Sequence, residues 1–318
     1  MASVTAAGSP QTRSGTGKRR WLSAEALAGW ITISPWLLGF VVFTATPLIL
    51  SLYFSFTKYD VLRPAEWVGL DNYQRLFTDD RLFPIALRNT FVYAMLFVPL
   101  DVGTGLAAAL LLNQARHWQG VFRTIFYLPA VTPAVATAYL WVWILNPNAG
   151  LVNRVLRFLH LPDPQWTVDP FWTKPTIVIS QLWILGGSMI ILLAALKGVP
   201  APLYEAAILD GAGRLRRFRD VTLPMISGVL FFVATVSTIN ALNVFAQGYV
   251  MYDENGGPRN SALFVVMYLY KRAFGGGTFQ MGYASAIAWV LFLIVVAITL
   301  IQFWASKRWV YYEAGNDG

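Results

Sequence analysis

"EAAILDGAGRLRRFRDVTLP", Glu205 to Pro224, is a polar, glycine-punctuated stretch between two long apolar runs. It reads as a helical hairpin at a membrane surface. In "VPAPLYEAAILDGAG", Pro202 suits the first turn of a short helix. Glu205 places a negative charge near the positive end of that helix's dipole. Gly211 suits the left-handed residue that closes a helix, and Gly213 allows a second sharp turn. "RLRRFRDVTLP" then starts a new helix, its arginines at the surface and its apolar continuation in lipid. An ordinary basic loop has a similar composition. The small pair Ala206–Ala207 beside an acid favours instead a short helix that the groove of another protein grips closely.

The flanking runs set the class. The chain has 318 residues, 56% of them hydrophobic and only 13% charged, about half the charged share of a soluble domain. Apolar residues cluster into six stretches, near 28–54, 89–113, 121–145, 172–196, 221–246 and 281–304, each able to span about 30 Å of hydrocarbon. Continuous apolar runs, without the alternation of a barrel, predict an all-α integral membrane protein of six transmembrane helices. The membrane domain then covers 25–310, with a cytoplasmic loop at 197–220. The small, polar, basic residues 1–24 form a disordered cytoplasmic tail, and 311–318 form a second one. Lys and Arg are denser in the segments that face inward when both termini are cytoplasmic. Trp30, Trp36, Trp141, Trp143, Trp172, Trp304 and Trp309 fall near span ends, as interfacial anchors do.

Several function classes are excluded. Cysteine is absent and only His117 and His160 are histidines, so disulfides, zinc–thiolate sites and cysteine nucleophiles are out and a histidine metal site is not expected. The net charge of +8 fits basic loops over anionic lipid better than nucleic-acid binding. Pro129 and Pro133 in "YLPAVTPAV" predict a kink or broken turn in the third span. "GTGLAAALLLN", Gly103 to Asn113, offers small residues for close helix packing.

Glu205-Ala206-Ala207, Asp210-Gly211-Ala212, Phe218 and Leu223-Pro224 resemble the EAA loop of binding-protein-dependent ABC importer permeases, in particular the sugar-importer permeases of the maltose and glycerol-3-phosphate type. "NTFVYAMLFVPLDVGTGLAAALLLN", "GVFRTIFYLPAVTPAVATAYLWVWILNPNAGLVN", "YVM" with "NGGP", and "GYASAIAWVLFLIVVAITLIQ" are similar to the same family, so the likeness covers nearly all of Trp30 to Arg308. It implies a type I importer permease bundle in a bacterial or archaeal cytoplasmic membrane. Glu205, Ala206, Ala207, Asp210, Gly211 and Pro224 would form the coupling helix and its joints, docking in a cleft of an ATPase. The implied partners are a second related permease forming a heterodimer, two ATP-binding subunits and an extracytoplasmic solute-binding protein, for which 55–88 is a docking surface. No cofactor belongs to this chain. Mg-ATP would sit on the partner ATPase, because the nearest phosphate-loop match, "GTGKRR", has Thr12 for the first glycine and Arg19 for the final hydroxyl. The chain is therefore read as a non-catalytic subunit.

A solute path in lipid needs polar groups facing an interior cavity. The fourth span offers Gln181, Trp183 and Ser188, and the fifth Ser237, Asn240, Asn243 and Gln247. Amides and hydroxyls recognise sugar hydroxyls, and Trp stacks on pyranose faces. Bridging between helices is an equal use for such groups. Ser237 and Asn240 share one helical strip, and Asn243 and Gln247 an adjacent one. Many family members carry Asn where Ser188 stands, which leaves the sugar contacts open. Apart from Lys174 at the very start of span four, no Lys or Arg lies in spans four or five, which points to a neutral di- or oligosaccharide over glycerol-3-phosphate. Asp101 is the one carboxylate within a span and has no basic partner there. It supports the alternative of a stand-alone ion-coupled secondary transporter, in which the Glu205 hairpin would have no task.

Overall fold

The computed structural model describes residues 24–115, 118–277 and 279–311. The predicted tails lie outside the described residues except for Ala24 and Tyr311, as do Arg116 and His117. The chain divides into two compact units between Ser51 and Leu52. The first holds α1 (Ala24–Phe40), a π-helical turn at Val41–Ala45 and most of α2 (Thr46–Ser55). Pro47 has no N–H to give to the preceding turn, so that turn widens, and Thr46 Oγ1 donates to the Val41 carbonyl at 2.8 Å.

The second unit opens with a two-residue ribbon in which β1 (Thr57–Lys58) pairs antiparallel with β2 (Glu66–Trp67), Thr57 opposite Trp67. Helices α3 (Asp71–Thr78), α4 (Leu82–Gln114), α5 (Gln119–Tyr127), α6 (Ala134–Ile144), α7 (Leu151–Phe158), α8 (Thr173–Leu182) and α9 (Gly186–Gly198) follow. After them come α10 (Ala201–Leu209), α11 (Arg214–Arg217), α12 (Leu223–Leu242), α13 (Ala246–Tyr252), α14 (Val265–Phe274) and α15 (Met281–Ser306). Among the described residues, four runs are long and apolar enough to cross a membrane: Ala26–Ser55, Leu82–Gln114, Arg214–Tyr252 and Met281–Ser306. Two bent pairs, 119–144 and 173–198, bring the number to six if each crosses once.

The first bend is 99°. Pro133 drives Thr132 into extended backbone, ψ 135°, after a 3-10 turn over Leu128–Val131. The second, between α8 and α9, is 50°. There Gly186 meets the backbone of α5: a Cβ would lie 2.6 Å from the Phe126 carbonyl oxygen and 2.8 Å from Tyr127 Cα.

The core has two clusters. Ala108, Ala109 and Leu112 of α4 bury against Met189, Leu192 and Leu196 of α9 and Ile226 and Val233 of α12. Phe83, Tyr93 and Phe97 of α4 bury with Phe264, Tyr268, Tyr283 and Ile287 from α14 and α15. The loop 253–264 is tied to this second cluster. Asn89 Nδ2 donates to the carbonyls of Asn260 (2.7 Å) and Leu263 (3.1 Å), and Lys174 Nζ to that of Ser261 (2.8 Å). Gly256 and Gly257, the "GG" of "NGGP", both have φ +70°, and a Cβ on Gly256 would lie 2.3 Å from Leu263 N, so no side chain fits the turn.

Asp80 gathers that end of the unit. Its Oδ1 accepts the backbone N–H groups of Leu82 (2.8 Å) and Phe83 (3.1 Å) at the start of α4. Its Oδ2 accepts the hydroxyls of Tyr268 and Tyr283, and Arg272 Nη2 stands 3.6 Å away. Arg272 Nε in turn donates to Tyr268 Oη at 2.7 Å. Burial alone would raise the Asp80 carboxyl, but the two tyrosines and two amides outweigh it and hold it below its usual range. Burial and the same carboxylate push Tyr268 up to about 12.

A carboxyl that holds its proton more weakly when folded stabilises above its unfolded value, 3.8, and loses that contribution as pH falls through the folded value. The melting temperature of the purified protein should therefore drop on acidification below about pH 4. Asp80→Ala should destabilise it at neutral pH by about 3 kcal/mol. An Asp80→Ala protein that melts with the wild type would show that these bonds do not secure the α4, α14 and α15 ends.

Candidate functional site

A cavity of about 350 Å³ opens beside the middle of α4, between the two core clusters. From α4 come Tyr93, Phe97 and Asp101, spaced by four residues and so aligned on one helix face. The α8–α9 bend contributes Gln181 and Ile184, and α9 adds Gly187, Ser188 and Ile191. The opposite wall is α12, with Phe232, Val233, Val236, Ser237 and Asn240. Ser188 Oγ donates to Asp101 Oδ1 at 2.9 Å. Ser237 Oγ is buried with no partner among the described residues. None of the lining residues is Lys, Arg or His. Hydroxyl and amide groups thus converge with aromatic rings in one apolar-walled space, a chemistry suited to a polyhydroxylated solute.

Four of the residues picked from sequence, Gln181, Ser188, Ser237 and Asn240, meet here. Trp183, Asn243 and Gln247 do not line this cavity. Trp183 sits in the α8–α9 bend, which carries it to a separate groove with Ile125, Phe126 and Pro129, its ring 6.0 Å from that of Trp141. Asn243 ends α12, its Nδ2 donating to the Ile239 carbonyl at 2.8 Å. The helix stops there, so Asn243 and Gln247 do not share the expected strip, and Gln247 is buried in α13. Asp101, expected to have no basic partner in the span, forms no ion pair among the described residues and accepts a hydrogen bond from Ser188 instead. Tyr93, Phe97 and Phe232 were not anticipated; the four-residue spacing Tyr93–Phe97–Asp101–Gly105 is the signal that points to the first two.

The Glu205 hairpin folds as two helices. Pro202 lies in the first turn of α10, and Gly211, φ +73°, closes it. Gly211 N–H donates to the Ile208 carbonyl (3.0 Å) and Ala212 N–H to that of Ala207 (2.8 Å), the paired bonds of a Schellman end. None of the α10 side chains is buried, and Leu209 is 88% exposed. Glu205, Ala206 and Asp210 are exposed and Ala207 half-buried. Tyr204 Oη and Thr222 Oγ1, 3.0 Å apart, join α10 to the π-helical turn Phe218–Thr222. That turn precedes Pro224, whose missing N–H widens it. Pro224 itself lines a shallow groove with Leu203, Asp220 and Tyr311.

Residues 81–311 match the family described as "Binding-protein-dependent transport system inner membrane component". The "Probable ABC transporter permease protein YesP" of Bacillus subtilis (strain 168) is 40% identical over 302 residues, 94% of this chain and 97% of that protein. The "Lactose transport system permease protein LacF" of Rhizobium radiobacter is 32% identical over 284 residues, 88% of this chain and 94% of that one. A chain in the crystal structure of a bacterial ABC transporter involved in the import of the acidic polysaccharide alginate superposes with a TM-score of 0.77. That match is 25% identical and covers 89% of this chain and 96% of the other. The chain belongs to this family of ABC importer permeases, and it is of the sugar-importer type. Membership in a family of ABC importer permeases does not favour the stand-alone ion-coupled transporter.

Beneath the cavity, Gly105 brings α4 and α9 together: a Cβ there would lie 3.1 Å from Ser188 Cβ. Gly105→Leu should lower stability by about 2 kcal/mol through overpacking and displace Ser188 from Asp101. Gly103→Ala, where a Cβ meets nothing within 4 Å, should be tolerated. Thermal melting of the two variants side by side tests this; equal behaviour would mean that the seam is not tightly packed at Gly105.

Proposed function

We propose that this chain is one half of the membrane path of an ABC importer for a neutral di- or oligosaccharide. The observation that carries the coupling part is α10, a nine-residue, largely apolar helix with no buried side chain. An apolar helix whose side chains its own chain leaves largely uncovered is suited to a groove on another protein. In this reading α10 is the coupling helix, with Glu205, Ala206, Ala207, Asp210 and Gly211 at the ATPase contact and Pro224 at the turn into the membrane. Each bent pair crosses once, giving six spans with both termini in the cytoplasm of a bacterium or archaeon.

A second related permease completes the path as a heterodimer. Two ATP-binding subunits carry Mg-ATP, and an extracytoplasmic binding protein delivers the sugar to the opposite mouth. The chain order supports the linkage between hairpin and cavity. α10 lies between α9 and α12, which supply Ser188 on one wall and Ser237 and Asn240 on the other. Force on α10 therefore acts on both walls. The neutral substrate is supported by a lining of hydroxyls and amides without Lys, Arg or His, since an anionic sugar is normally met by a guanidinium or ammonium group.

Glu205→Lys reverses a charge at the docking face, and Gly211→Val strains the left-handed closing residue by about 1–2 kcal/mol. In the assembled importer both variants should lose ATP-driven uptake by about tenfold or more and release the ATPase on purification, while the chain stays inserted. Uptake at the wild-type rate by both would remove α10 from the coupling role.

A further inference from the structure

We propose that Asp101 is the charge-selecting residue of the cavity: it accepts hydroxyls of an uncharged sugar and turns away sugars bearing carboxylate, sulfonate or phosphate. The inference rests on reading the chain as a sugar permease. Asp101 lies near the middle of α4, where a carboxylate without a task is costly. Packing does not require it. Ser188 has a second acceptor, the Leu185 carbonyl of its own helix at 3.4 Å, of the kind that satisfies serines in membrane helices.

What Asp101 does have is a fixed orientation and a free edge. Ser188 holds Oδ1 at 2.9 Å, and no hydrogen bond to Oδ2 is found among the described residues, so that oxygen remains for a ligand. An ionised carboxylate only accepts, and sugar hydroxyls donate. The surrounding wall is apolar at Phe97, Ile191, Phe232 and Val236, which leaves the charge poorly screened. No basic side chain of this chain lines the cavity to offset it. The fold does not itself exclude anions, because a solved transporter of the same fold imports the acidic polysaccharide alginate. Charge preference must then come from the lining, and Asp101 is the one charged residue in it.

The absence of cysteine from the chain permits a test that needs no knowledge of the natural sugar. Asn240 lines the cavity and is exposed to it. In the assembled importer carrying Asn240→Cys, the thiol is treated with a cationic (trimethylammonium-ethyl) or an anionic (sulfonatoethyl) methanethiosulfonate, and modification is followed by the mass of this chain. The ratio of cationic to anionic rates should fall by about tenfold or more when Asp101→Asn is added, and should be retained with Asp101→Glu, which also controls for misfolding. A ratio unchanged by Asp101→Asn would overturn the proposal.

Protection of the same thiol separates this inference from the sugar reading. Lactose and maltose should protect it better than digalacturonate, and Asp101→Asn should narrow that gap. Equal protection by neutral and acidic sugars at the intact carboxylate would overturn the charge selection even if the reagent ratio shifts. A shifted ratio with no protection by any of the three sugars would support the charge at Asp101 and count against the sugar reading alone.

Discussion

α4 and α9 approach as closely as they do because residue 105 has no side chain. A Cβ at Gly105 would lie only 3.1 Å from that of Ser188, so a bulky residue there would press on α9. The close approach lets Ser188 reach Asp101, one turn earlier in α4, at 2.9 Å. Below this point the seam is filled by Ala108, Ala109, Met189 and Leu192. Above it the facing residues no longer interdigitate, and the space beside Tyr93 and Phe97 is the cavity. Tight packing lies on one side of this contact and open space on the other. They also place the polar groups of the site on the most firmly packed pair of helices, where orientation is kept without cost in ordering a loop.

The bundle's irregularities share a second cause, the loss of a backbone donor at proline. Pro47 and Pro224 each follow a π-helical turn, and Pro133 follows the extended Thr132 at the 99° bend. In lipid a freed carbonyl has to find another donor, and in the widened turns the backbone bonds shift one residue along, Thr46 N–H to Val41 O and Leu223 N–H to Phe218 O. Such turns are places where a helix can change direction without exposing unpaired backbone. The one at Phe218–Thr222 stands where the hairpin passes into α12.

These local devices were legible in the sequence. Pro133 announced a break, Gly211 the end of α10, and the Glu205 hairpin its family. The limits of that legibility are equally physical. The network at Asp80 joins residues separated by 188 and 203 positions, to Tyr268 and Tyr283, and no local pattern marks such partners. Trp183 reads as a sugar platform because it lies in the fourth span and a Trp ring stacks on a pyranose, but a 50° bend between α8 and α9 sends Gln181 and Trp183 to different surfaces. Asn243 looked like a helical residue because the apolar run continues past it, yet its own amide caps Ile239 and ends the helix. Period-based reading assumes a continuous helix, and it failed where a side chain or bend interrupted one.

The two ends of the cavity walls are secured differently, and on the proposed reading of α10 as the coupling helix this would decide which wall yields under force. α4 is held at one end by the Asp80 bonds to α14 and α15 and along its length by the seam with α9. α9 therefore shares the anchorage of α4 although it leads directly into α10. α12 meets the same core through Ile226 and Val233, but it is bounded by a π-helical turn before Leu223 and by the break at Asn243. A displacement of α10, joined to that turn by the Tyr204–Thr222 contact at 3.0 Å, would then be passed to the start of α12 and would shift it against the α4–α9 pair. Asp101 and Ser188 would then keep their mutual geometry while Ser237 and Asn240 change their distance from them. On the proposed reading, such a site would hold its solute by a fixed carboxylate and release it by withdrawing the amide and hydroxyl opposite.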